Sequence, residues 1–274
     1  MIFELEAVGG PWMRRSPAAQ RRAIIDELAW DELAKETPSS SELAEQARVV
    51  WTQSAFSEYA SAAAFAEIAS ALLAAAAPID LVAAAGDFVA DEMLHAELSA
   101  RVAGALGGAV ALEVDLTRLV RPPPASARPL LRAAELVVRT SCVGEALTVP
   151  ILKLARAEAG SAIIAEVLAR IARDESAHAE LGSWFLDWAA PKLTDDDRVE
   201  LGRIAGAALR SFAPIFGGAC VPEAKLGVLD CASFDATFDK AVVQRVVEPL
   251  AARGISVEPP YPSDAVREQG STAT

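Results

Sequence analysis

Histidine, tyrosine and cysteine are scarce: the 274 residues include two His, two Tyr and three Cys. Cys142, Cys220 and Cys231 form no C-x-x-C pair, which excludes a zinc ribbon or a rubredoxin-type iron site. So sparse a set reads as reduced thiols in a cytoplasmic protein, with a Cys220–Cys231 disulfide as the rarer alternative. Aromatics are only 6% of a chain that is 53% hydrophobic and rich in Ala and Leu, a composition suited to close-packed helices rather than sheets. Basic residues are in deficit, 25 Lys and Arg against 38 Asp and Glu. The net charge of -13 argues against a nucleic-acid backbone or an anionic membrane surface as partner. No apolar run is long enough to span a bilayer, since the stretch from Ala60 to Ala90 is broken by Glu67, Pro78, Asp80 and Asp87. Met1 to Arg15 lacks a basic start followed by an apolar run, so no signal peptide is expected.

Both histidines fall in a sequence that occurs twice. Asp91-Glu92-Met93-Leu94-His95-Ala96-Glu97 and Asp174-Glu175-Ser176-Ala177-His178-Ala179-Glu180 share the pattern D-E-x-x-H-A-E, 83 residues apart from Glu92 to Glu175. Residues three apart share a helix face, so each copy aims a carboxylate and an imidazole the same way. In four-helix bundles, two such pairs plus a Glu from each of two further helices make a dinuclear metal site.

The periodicity supplies those helices. A long helix is predicted from Ser41 to about Ala76, a second from Ile79 to Leu106, a third from Pro129 to Ala157 and a fourth to about Ala189. Short joins make each pair an antiparallel hairpin. The connection over 107–127 is about 21 residues, which reaches about 70 Å when extended, more than the about 45 Å of a 30-residue helix. The expected architecture is all-α: a four-helix bundle of two antiparallel hairpins and one long crossover, with extra N- and C-terminal helices. Its parts are an N-terminal extension over 1–40 with one helix from Ser16 to about Lys35, the bundle over 41–190, a helical extension over 191–257 and a mobile tail over 258–274. The extension is expected to hold helices to about Phe212 and from Phe234 to Ala252.

Helical phase selects the remaining carboxylates. Glu58 and Glu67 are nine residues apart, about 180° of phase at 100° per residue. Glu58 lies on the stripe Trp51, Ala55, Ala62, Phe65, Leu72, and Glu67 is expected in solvent. Glu145, unlike Glu135, lies on the stripe Val138, Cys142, Val149, Leu152. The candidate metal ligands are therefore Glu58, Glu92, His95, Glu145, Glu175 and His178. No Lys or Arg shares these stripes, and burying unpaired carboxylates costs several kcal/mol each, so metal cations are the natural compensation. A carboxylate-rich set with imidazole suits iron or manganese better than four-coordinate zinc. Asp91 and Asp174 are placed to orient the imidazole of the opposite hairpin; Glu97 and Glu180 are expected to be exposed.

The stretches around Glu58-Tyr59, Asp91 to Ala96, Cys142 to Glu145 and Asp174 to Leu181 resemble the ferritin-like diiron-carboxylate superfamily, in particular bacterial ferritin-like domain proteins with two Glu-x-x-His motifs. The resemblance covers about 45–190. It implies the same six ligands, two iron ions (with Fe/Mn or Mn pairs as alternatives) and dioxygen as partner. It leaves open an oxygenase or oxidase acting on a small organic substrate, a ferroxidase or iron store, and a bundle whose metal is structural. For the enzyme, Thr148 is expected to place a hydroxyl near bound oxygen or to bond back to its own helix. Pro150 is expected to kink the third helix and shape the wall of a cavity opening toward one metal. A monomer or homodimer is expected; the electron donor is open.

Overall fold

The Ala- and Leu-rich sequence folds as helix almost throughout in the computed structural model, which describes residues 1–5, 23, 25–36, 41–120, 128–217, 220–221 and 225–257. The elements are α1 (Trp30–Leu33), α2 (Ser41–Ala74), α3 (Ile79–Ala105), α4 (Pro129–Val137), a π-helical segment (Val138–Glu145), α5 (Ala146–Glu158) and α6 (Ala162–Ala189). Then follow α7 (Asp195–Gly217), β1 (Cys220–Val221), β2 (Leu229–Asp230), α8 (Cys231–Ala241), a second π segment (Val242–Val247) and α9 (Glu248–Ala251). No helix among the described residues is long and apolar enough to cross a membrane.

The turn over 75–78 folds α3 back along α2, so the two run antiparallel: Arg48 near the start of α2 donates to the Gly108 carbonyl beyond the end of α3. Gly160 turns α5 into α6 in the same way, and the hairpins meet through α3 against α6 and α2 against α4. Phe65, Leu72, Leu168 and Phe185 are fully buried between them. Such side chains contribute about 1.5–3 kcal/mol each, and together they make the dry interior in which the polar groups below must find partners. At the start of α7, Thr194 and Asp197 form a capping box: Asp197 N–H donates to the Thr194 hydroxyl and Thr194 N–H to the Asp197 carboxylate.

Several expectations need correction. The third helix is not continuous α-helix but widens to π geometry over Val138–Glu145; the helix continues through Pro150, so the departure lies before the proline rather than at it. The predicted 16–35 helix is interrupted by a turn at Glu27–Leu28, and its start lies outside the described residues, as does the 258–274 tail. The last helix starts at Cys231 rather than Phe234, because Asp230 caps it by accepting from Ser233 N–H. Cys220 and Cys231 are not reduced thiols but a disulfide. The parallel β1–β2 pairing sets Cys220 opposite Leu229 and brings the two Cα atoms to 4.9 Å, within disulfide reach.

The loop before β2 ties the hairpins together. Trp51 of α2 donates its indole N–H to the Leu226 carbonyl, and Gly160 donates to the Lys225 carbonyl. Gly227 adopts φ +77°, and a Cβ there would sit 2.5 Å from Ile164 and 2.7 Å from Trp51. Gly227→Ala is therefore expected to lower stability by about 1–3 kcal/mol through overpacking, with left-handed strain in addition. Chemical denaturation measures it, and a change under 0.5 kcal/mol, within the spread of ordinary surface substitutions, would show that the loop can move aside.

Candidate metal centre

The Glu-x-x-His spacing turns both pairs inward. Glu92 and His95 of α3 face Glu175 and His178 of α6; all four are fully buried, and one ligating atom from each lies within 4.8 Å of the others. His95 Nδ1 is 3.1 Å from Glu175 Oε1 and 3.7 Å from Glu92 Oε2. His178 Nδ1 is 3.1 Å from Glu175 Oε2 and 2.9 Å from Glu92 Oε1. Each central carboxylate thus extends one oxygen toward each imidazole.

Two more carboxylates flank this core. Glu58 of α2 lies 3.9 Å from His95 Nδ1. Glu145, at the end of the π segment, accepts from the Ser61 hydroxyl at 3.4 Å. Burial and the charges of Glu92 and Glu175 push both outer carboxyls well up; His95 opposes this at Glu58 and His178 at Glu145. Glu58 thus stands on the His95 side, and the charge of His178 reaches Glu145. Gly182 permits the close packing, since a Cβ there would sit 2.6 Å from the Cys142 sulfur in the π segment.

Both imidazoles turn Nε2 away from the cluster toward an aspartate of the other Glu-x-x-His helix. His95 Nε2 is 3.4 Å from Asp174, and His178 Nε2 is 3.6 Å from Asp91. Asp174 is also held by Arg170 at 3.0 Å and Arg173 at 3.4 Å. Burial works against its ionisation, but His95 and Arg170 win and bring the carboxyl down to about 2. Burial likewise works against a charged His178, yet Asp91, Glu175 and Glu92 raise it to about 12; His95 is raised in the same way by Asp174, Glu175 and Glu92. Burial would raise Glu175 too, but both histidines hold it far below the usual carboxylate range.

Not every sequence expectation meets the cluster. Glu67 is half-buried rather than solvated and stands 3.7 Å from Arg132. Glu97 is half-buried and pairs with Arg101 at 2.9 Å. Thr148 donates its hydroxyl to the Gly144 carbonyl at 3.1 Å, the back-bonded alternative, rather than presenting it to the cluster. Ser61 escaped the sequence reading, although its position three residues after Glu58 puts it on the same face.

The residues fit a cation. Both Glu92 oxygens are buried without a hydrogen-bond partner, His178 lying near but outside bonding geometry. Among the described residues no Lys or Arg forms an ion pair with Glu58, Glu92, Glu145 or Glu175. An ionised carboxylate in that position costs several kcal/mol unless paired. Carboxylate oxygens and imidazole Nδ1 atoms converging on one dry volume are a donor set that can hold a metal ion. Compared with known proteins, the chain matches no family model, no curated protein and no solved structure.

The geometry separates the two helix-α2 glutamates experimentally. Glu58→Ala is expected to reduce bound metal, whereas Glu67→Ala should leave metal content unchanged. Elemental analysis of the purified variants decides it; loss of metal in Glu67→Ala with full retention in Glu58→Ala would reverse the face assignment.

Proposed function

We propose that the chain is a ferritin-like diiron-carboxylate enzyme that uses dioxygen to oxidise a small organic molecule. The observation that carries this reading is the two-fold arrangement of the cluster: one histidine and one outer glutamate on each side, with Glu92 and Glu175 reaching both. Glu58 and His95 would hold one iron, Glu145 and His178 the other, with Glu92 and Glu175 between them. Two antiparallel hairpins presenting ligands to a shared interior match the ferritin-like plan.

A pair of iron ions, when bound, supplies electrons for the activation of dioxygen. The chain supplies everything around that chemistry. Asp174 and Asp91 orient the imidazoles, leaving Nδ1 for the metal. The Ser61 hydroxyl steadies Glu145. Phe65 and Phe88, with ring centroids 5.1 and 4.2 Å from that of His178, keep water away from that side.

Anaerobic loading with Fe(II), followed by dioxygen, tests the reading. Two irons per chain in a small assembly, with each dioxygen consumed once per pair, supports it. Tens of irons per chain in a large shell would instead make iron the cargo, as in a ferroxidase or store. Binding without any reaction with dioxygen would make the metal structural. Loading with Mn(II) in parallel determines whether a manganese or mixed pair is preferred.

A further inference from the structure

The C-terminal elements supply none of the cluster residues, yet they close a cavity. A groove of about 280 Å³ runs between α5 and α6 and is roofed by the second π segment and α9. On α6 it is lined by Ser176, Ala179 and Ser183, about one residue round the helix from Glu175 and His178 and therefore outside the cluster. Its floor includes Val149, Leu186 and Leu250, each 2% exposed. Lys153, Arg245 and Arg253 also line it, against a single acidic residue, Glu180.

That charge pattern is unusual for a chain with 38 acids and 25 bases. Many of its other arginines are matched to carboxylates: Arg48, Arg101, Arg128, Arg132, Arg170 and Arg203 all form ion pairs. Lys153 and Arg245 have no ion-pair partner among the described residues. Arg253 is held in place by Asp187 at 2.9 Å and the Pro249 carbonyl at 3.1 Å. Burial pushes the Cys142 thiol in the groove wall up to about 12, and the Arg253 charge opposes that shift.

We propose that this groove binds a small organic carboxylate, its charged end held by Arg253, Arg245 and Lys153 and its apolar body lying on Val149, Leu186 and Leu250. Two cations without an ion-pair partner among the described residues, beside a fixed one, complement an anion; an apolar floor favours a hydrocarbon body over an inorganic oxyanion. The volume sits at the low end of ligand cavities, which run to about 300–1,000 Å³, so the ligand is nearer in size to benzoate than to a nucleotide. The inference does not depend on which metal, if any, the cluster holds.

Calorimetric titration with benzoate, against its neutral isostere benzamide and against inorganic phosphate, tests it on the full chain. Wild type is expected to bind benzoate, benzamide not detectably, and phosphate more weakly than benzoate. The double variant Lys153→Gln/Arg245→Gln alters two exposed side chains and should bind benzoate about tenfold more weakly or worse, the effect of losing charged hydrogen bonds of about 1.5–3 kcal/mol. Metal content should be unchanged in that variant. Arg253→Gln should weaken binding further but also loses the Asp187 contact, so the double variant decides. No benzoate binding, equal binding of benzamide, phosphate binding as tightly as benzoate, or an unaffected double variant would each overturn the proposal.

Discussion

Replacing either histidine by alanine is expected to leave about one metal ion per chain where the proposed centre would hold two. The expectation rests on how the cluster divides. His95 stands with Glu58 and His178 with Glu145, while Glu92 and Glu175 reach both imidazoles. Loss of one imidazole removes a ligand from one half and leaves the other half intact. Loss of a group that merely orients a ligand typically weakens binding about 10- to 100-fold, and loss of the ligand itself costs at least as much. Competition with a chelator measures the loss of affinity in each variant. If both variants keep two tightly held ions, neither histidine is a ligand and the dinuclear reading is wrong.

The repeated motif reveals part of this arrangement. Spacing within each copy of D-E-x-x-H-A-E determines that Glu and His share a face, and the stripe through Trp51, Phe65 and Leu72 determines that Glu58 points with them; both are local properties of regular helix, so periodicity reaches them. Partners distant in sequence are another matter. The Glu67–Arg132 pair spans 65 residues and turns a carboxylate expected in solvent into a half-buried one. The π segment over Val138–Glu145 changes the phase of the third helix just before Glu145, and no residue type announces it. Cysteine statistics describe compartments, whereas the Cys220–Cys231 pairing follows from the β1–β2 register. One groove is formed against the C-terminal elements and another against Ile25 and Leu28, segments whose packing no periodicity places.

Metal removal is expected to lower the melting temperature by roughly 10 °C at pH 8, and the difference should shrink as the pH falls. A ligand at 1,000 times its dissociation constant that binds only the folded state stabilises by about 4 kcal/mol, and a chain of this length shifts by about 2–4 °C for each kcal/mol. The pH dependence has a definite sign. Without metal, His178 holds its proton up to about 12 and His95 is likewise raised, while the outer carboxyls of Glu58 and Glu145 are raised by burial and by Glu92 and Glu175. A metal ion takes imidazole and carboxylate in their deprotonated forms, so binding releases protons. Lowering the pH favours the state that holds more protons, which is the metal-free one. The stabilisation is therefore largest at high pH and is lost as protons reclaim the ligands. Calorimetric scans of Mn(II)-loaded and chelator-treated protein at pH 8 and pH 5.5 measure both effects without involving dioxygen. Equal melting temperatures at pH 8 would count against a metal centre in the core, and a difference that widens at pH 5.5 would mean that the bound ion does not displace protons from these six residues.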